Sequence, residues 1–182
     1  MRVIGGEHAG RRLTAPRGDR TRPTPDRVRE ALFSILGPVE GLRVLDLYAG
    51  SGALGIEALS RGAAEATFVD TDGAAVRAVR ANLELAGSER GRVFRADVQS
   101  FLRGAARHGE LWDLVLCDPP YRLAHRLGPA LGPLLAPVLG AQARIVCESS
   151  PRQPLRLDLP VTDERRYGDT LLVFHSAPEA SS

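Results

Sequence analysis

The chain of 182 residues is 43% hydrophobic and 25% charged, which fits one globular domain with a substantial core and excludes a disordered or fibrous protein. No apolar run approaches the ~18 residues of a membrane span, and the basic, glycine-rich start lacks a signal peptide's apolar core, so a cytoplasmic location is expected. Net charge is +2, yet residues 1–22 carry six arginines against Glu7 and Asp19, a local +4 that suits a polyanionic partner. Arginine supplies all 24 basic residues, a bias that explains their identity but not their clustering.

In chain order, residues 1–15 read as two short strands around a glycine-rich turn, a hairpin carrying the Arg11-Arg12 pair. Residues 16–23 form an arginine-rich linker. Thr24 is expected to cap a helix that has Pro25 in its first turn, with Val28, Leu32, Ile35 and Leu36 on one face and Gly37-Pro38 at its end. From residue 42 the pattern alternates strand and helix. Apolar runs at 43–48, 66–70, 92–96, 113–118 and 143–148 predict a parallel, doubly wound sheet. The helix at 73–86 is closed by Gly87, whereas the leucine-, glycine- and proline-rich stretch 123–141 predicts short or broken helices. Runs at 162–167 and 170–175 leave no room for a crossover, so they should form a hairpin that places the last strand antiparallel, seven strands in all. Cys117 and Cys147 sit in apolar runs without zinc-type spacing, which predicts buried free thiols and no metal.

Four successive strands end in aspartate: Asp46, Asp70, Asp97 and Asp118. An aspartate after a strand often caps the next helix, and Asp72 is expected to do just that. Four of them beside the glycine loop 49–55 instead line one rim, where open α/β sheets bind ligands. Ala49, Gly50 and Gly52 would bring backbone against the ligand, and Asp70, 20 residues beyond Gly50, would hold a ribose together with Thr71. A carboxylate at Asp46 disfavours a pyrophosphate and suits a ligand with an ammonium and a sulfonium, as in S-adenosylmethionine. Asp97 and the Val98 amide would then read its adenine.

Asp118-Pro119-Pro120-Tyr121 is the sharpest motif. An exocyclic amine on a planar ring is a poor nucleophile because its lone pair is delocalised. Two acceptors, the Asp118 carboxylate and the Pro119 carbonyl, would bind its two hydrogens and aim the freed lone pair at a methyl group. The prolines hold that carbonyl in place, and Tyr121 offers a face on which an extruded base can stack.

LDLYAGSGALGIEALSRGA, DPPY, RPTPDRVREALFSIL and the terminal YGDTLLVFH together resemble the RsmD-type 16S rRNA (guanine(966)-N2)-methyltransferase family over residues 2–175. The resemblance implies a Rossmann-like class I S-adenosylmethionine-dependent fold with S-adenosylhomocysteine as product, and a monomer acting on 16S rRNA in an assembling small ribosomal subunit. It implies that Arg22, Pro23 and Thr24 face the active site, and that Arg2, Arg11, Arg12 and Arg17 hold rRNA, with Tyr121 also on the substrate. The expected organisation is a basic hairpin and linker at 1–22, a methyltransferase domain at 23–175 and a disordered tail at 176–182. Two alternatives stand beside this reading: an amino methyltransferase acting on DNA adenine or a protein glutamine, and a non-catalytic RNA-binding assembly factor.

Overall fold

The central apolar runs become strands because they can bury both faces, while the edge strands β3 (Gly91–Arg95) and β6 (Val161–Tyr167) stay partly exposed, and the intervening amphipathic stretches supply the cover. The computed structural model describes residues 1–16 and 24–178, and the side chains at 121–123 and 125 lie outside that description with residues 17–23 and 179–182. The elements in order are α1 (Asp26–Leu36), β1 (Arg43–Leu47), α2 (Ala53–Ser60), β2 (Glu65–Asp70), α3 (Gly73–Ala86), β3 (Gly91–Arg95), α4 (Val98–Arg107), β4 (Trp112–Cys117), α5 (Tyr121–Leu135), a 3-10 turn (Ala136–Val138), β5 (Leu139–Ser149), β6 (Val161–Tyr167) and β7 (Thr170–Ser176). They build one seven-stranded sheet in the order β3-β2-β1-β4-β5-β7-β6. β1 to β5 run parallel, and β7 is antiparallel to both β5 and β6, as the short connection between the last two runs predicts.

Alternation along the strands divides the core. Val44, Phe68, Leu114, Leu116 and Val146 pack with α1, α2 and α3 on one face, and Leu45, Leu47, Val69, Val115 and Ile145 pack with α4 and α5 on the other. Each such fully buried side chain contributes about 1.5–3 kcal/mol. β1 and β4 pair at the centre, where the strand order reverses, and this junction fixes where a ligand crevice opens. Cys117 and Cys147 stand in register on β4 and β5 as buried free thiols.

One local expectation holds in reduced form and three change. The hairpin at 1–15 is present but short: Arg2 and Arg12 form a single antiparallel bridge flanked by bonds from Val3, Gly10 and Leu13 to the Arg11, Val3 and Met1 carbonyls, and Ile4, Gly5 and Thr14 bond instead to the body of the protein. Thr24 does not cap α1: Pro25 holds that position, and the Thr24 hydroxyl donates instead to Glu148 Oε2 at 2.8 Å. The stretch from 121 to 135 is one continuous helix despite Pro129 and Pro133. Packing overrides propensity there: Ala124, Leu131 and Leu135 are fully buried, and Gly128 lies so close to residue 156 that an added Cβ would stand 2.1 Å from the Arg156 carbonyl oxygen. Finally, Ser176 belongs to β7 and Ala177 donates to the Ala143 carbonyl, so the sheet extends into the expected tail, whose residues 179–182 lie outside the described residues.

Candidate functional site

The loop leaving β1 is fastened from below. Asp46 is 1% exposed, and its Oδ2 accepts the Gly55 amide at 2.9 Å, tying strand to helix across the turn. Burial, opposed by that bond and reinforced by Asp70, pushes its pKa up to about 8. The carboxyl therefore lies beneath the glycine loop, where burial favours its protonated form, rather than on the rim. Gly55 is required for this closeness, because an added Cβ would stand 2.3 Å from Phe68 Cε1.

Above Asp46 the chain turns sharply. Tyr48 is the one non-glycine residue with positive φ (58°) among the described residues, an unusual conformation for a bulky side chain, and Gly50 and Gly52 follow at 55° and 76°. The half-buried Tyr48 phenol is held protonated, chiefly by burial and then by Cys117, Asp97 and Asp70, which sets it among the strand ends of β2, β3 and β4. Ala49 donates to the Val69 carbonyl at 3.2 Å, and Gly50 donates to Asp70 Oδ2 at 2.9 Å. The second Asp70 oxygen accepts the Asp72 amide at 2.9 Å, so this carboxylate positions two backbone segments. Asp72 caps α3 as expected. Thr71 is exposed, and its carbonyl accepts from Arg95.

Asp97 caps α4 by accepting the Ser100 amide at 2.9 Å, while Val98 sends its side chain into the core and leaves its backbone amide in the first helical turn. The fourth acid continues the β1–β4 ladder: the Asp118 amide lies 3.4 Å from the carbonyl oxygen of Leu47, the last residue of β1. Asp118 is partly exposed and Pro119 is buried. Tyr121 opens α5, and its side chain lies outside the described residues. The strand-end residues Asp70, Asp97 and Asp118 thus lie along the carboxyl-terminal edge of adjacent strands, with Asp46 buried beneath the loop.

The basic arm meets the glycine loop through Met1 and the Asn82-bound Thr14, whereas Arg11 sits at the C-terminal end of α3, on the edge of the sheet away from the strand-end acids. Arg2 is ion-paired with Asp26 at 3.4 Å, Arg11 donates to the Leu85 carbonyl at the end of α3, and Arg12 is exposed. Arg17, Arg22 and Pro23 lie outside the described residues. Thr24, through Glu148, links the start of α1 to the end of β5.

Four polar residues escaped the sequence reading. Glu148 is a fifth strand-end acid, 3% exposed, and the ending IVCES carries the same signal as the other four. Glu57 is fully buried on the otherwise apolar α2, where it accepts the Ile4 and Gly5 amides at 2.7 and 2.8 Å and pairs with Arg61. Arg29 is fully buried on α1 and donates to the Arg2 carbonyl and to Asp26. Burial pushes its pKa down, and Asp26, Glu57 and Glu148 push it back. Asn82, fully buried on α3, bonds both the arm and the glycine loop. A polar residue at a helix position facing apolar strands is the signal that marks Glu57 and Asn82.

The chain is 45% identical over 123 residues to the ribosomal RNA small subunit methyltransferase D of Escherichia coli strain K12, a stretch covering 67% of this chain and 61% of that protein. The match therefore spans less than two thirds of that relative's length. A solved structure of a hypothetical protein from Thermus thermophilus superposes with a TM-score of 0.81 at 34% identity, covering 99% of both chains. An RNA methyltransferase from Salinibacter ruber, solved with S-adenosyl-L-homocysteine, shares the fold with a TM-score of 0.67 at 18% identity over 88% of this chain and 97% of that one. Residues 1–176 match the family model described as Conserved hypothetical protein 95, and the chain belongs to that family, the RsmD-type family its motifs resemble.

Proposed function

We propose that this protein transfers a methyl group from S-adenosylmethionine to the exocyclic N2 amine of a guanine in 16S rRNA, within an assembling small subunit. The observation that carries the reading is the junction of β1 and β4, where the glycine loop and Asp118-Pro119-Pro120 leave adjacent parallel strands at the point of strand reversal. Space above Gly50 is open, with only the Tyr48 carbonyl within 4 Å of an added Cβ, so the loop has room for a ligand against its backbone. Asp70, Thr71, Asp97 and the Val98 amide offer acceptors and a donor suited to a ribose and an adenine. The donor set fits the cofactor.

When bound, S-adenosylmethionine supplies an electrophilic methyl group on a sulfonium. The chain's own part is to orient the nucleophile. The Asp118 carboxylate and the Pro119 carbonyl accept the two amine hydrogens and draw the nitrogen out of conjugation, and Asp118 then takes the proton that the product ammonium gives up. Pro119 and Pro120 fix the carbonyl's direction, and Tyr121 supports the base. Six arginines fall within residues 1–22, and this clustering in the sequence supports an RNA rather than a free nucleotide as substrate, with Arg2, Arg11 and Arg12 of the described arm as its phosphate contacts.

The test is transfer of a labelled methyl group onto unmethylated small subunits, with the product nucleoside identified by mass. N2-methylguanosine is expected. Label in N6-methyladenosine or in protein, or no transfer at all, would overturn the assignment.

A further inference from the structure

We propose that Asn82 is a positioning residue that couples the N-terminal arm to the glycine loop, so that RNA on the arm and S-adenosylmethionine in the loop strengthen each other's binding. The proposal rests on the reading of the loop as the donor's seat and of the arm as an RNA contact.

Asn82 belongs to neither segment, yet it is fully buried between them. Its Oδ1 accepts both the Thr14 amide and the Thr14 hydroxyl, each at 2.8 Å. Its Nδ2 donates to the Thr14 carbonyl at 2.9 Å and to the Ser51 carbonyl at 2.8 Å. One side chain thus uses both of its polar atoms to hold the arm, and one of them also holds the loop. Ser51 lies between Gly50 and Gly52, the two left-handed glycines, so any shift of its carbonyl turns the peptides on either side.

A second link runs in parallel. The Ser51 hydroxyl lies 3.7 Å from Met1 Sδ, which brings the first residue of the arm onto the loop as well. Between these two points the arm is tied to α2: Ile4 and Gly5 donate to Glu57, Glu7 donates to the Ser60 carbonyl at 2.8 Å, and His8 donates to Ser60 Oγ at 2.9 Å. Gly52 is the N-cap of that same helix. Movement of the arm therefore acts on the loop through Asn82 at one end and through α2 at the other, and only the first route depends on a single replaceable side chain. The sign of the coupling follows from ordering. A ligand that rigidifies either segment fixes part of the other through the shared amide, so the second ligand meets a smaller ordering cost. Reciprocity requires the factor to be the same in both directions.

The experiment measures S-adenosylhomocysteine affinity by calorimetry on the full chain, alone and with saturating unmethylated small-subunit rRNA. It compares the wild type with Asn82→Ala, Asn82→Asp and Thr14→Val, with circular dichroism verifying the fold. The wild type is expected to bind about fivefold or more tighter when rRNA is present, the lower end of ordinary coupling. In Asn82→Ala and Asn82→Asp the ratio should fall to about twofold or less, the remainder being carried by the Met1 and α2 links, while rRNA binding persists. Thr14→Val keeps the backbone bonds to Asn82 and should lower the ratio only in part, which preserves the test should Asn82→Ala fail to fold. A wild type that binds no S-adenosylhomocysteine removes the donor reading itself. A wild-type ratio of one, or an Asn82→Asp variant that keeps the wild-type ratio, overturns the coupling.

Discussion

The two segments that meet at the centre of the sheet are made rigid by opposite means. The loop after β1 is held by side chains from elsewhere: Asp46 fastens Gly55, Asp70 fastens Gly50 and Asn82 fastens Ser51, while Tyr48 carries an uncommon backbone conformation in their midst. The segment after β4 carries its stiffness in its own sequence, because Pro119 and Pro120 fix their φ angles without needing a partner. A loop held by distant contacts is vulnerable to substitutions far from it. A segment stiffened by its own prolines is vulnerable only at its own residues.

The largest effect expected from this contrast is at Asp118. Asp118→Ala should lower methyl transfer by on the order of a thousandfold, as for loss of one preorganised polar group, with S-adenosylhomocysteine affinity largely kept. Retained transfer would put the chemistry elsewhere. Next comes Gly55→Ala, which inserts a Cβ 2.3 Å from Phe68 Cε1 with Asp46 Oδ2 at 3.0 Å on another side. It should destabilise the fold by roughly 1–3 kcal/mol in urea unfolding, and an unchanged midpoint would show that the loop is less tightly seated than the geometry requires.

A dependence on pH follows from the same loop. Burial lifts Asp46 from the ordinary 3.8 to about 8, so between those values the folded chain keeps a proton that the unfolded chain releases. Stability from this group is therefore full below the lower value and is lost as pH rises through the upper one. Asp46→Asn can keep the acceptor for Gly55 but cannot ionise, so its stability relative to wild type should grow from pH 5 to pH 8, by at most about 1.4 kcal/mol per pH unit. A flat difference would mean that Asp46 is ionised in the fold. A cationic donor bound above it would favour the carboxylate, and its binding near neutral pH should release a proton, visible as a buffer-dependent enthalpy.

Much of this was legible in the residues. Strand runs, the reversed final hairpin and the Asp72 and Gly87 caps follow from periodicity and local hydrogen bonding, which act within a few residues. The four strand-end acids were legible as positions but not as states: the depth of Asp46 depends on Phe68 and Gly55, packed from other elements. The continuity of α5 was hidden because its prolines oppose it locally and only contact with residues 155–158 restores it. Thr24 was misassigned for a similar reason, its partner Glu148 standing 124 residues away. Glu57, Asn82 and Arg29 carry no motif, and their meaning comes from the arm they hold.

The buried thiols give this molecule a built-in clock. The chain has only two cysteines, Cys117 is followed directly by Asp118, and its register partner Cys147 is followed by Glu148. Both are at most 1% exposed, so a thiol reagent reaches them only when β4 and β5 part. The alkylation rate of the native chain therefore reports how often the strands bearing those two acids open, and slower alkylation with a ligand present measures how far that ligand holds them closed.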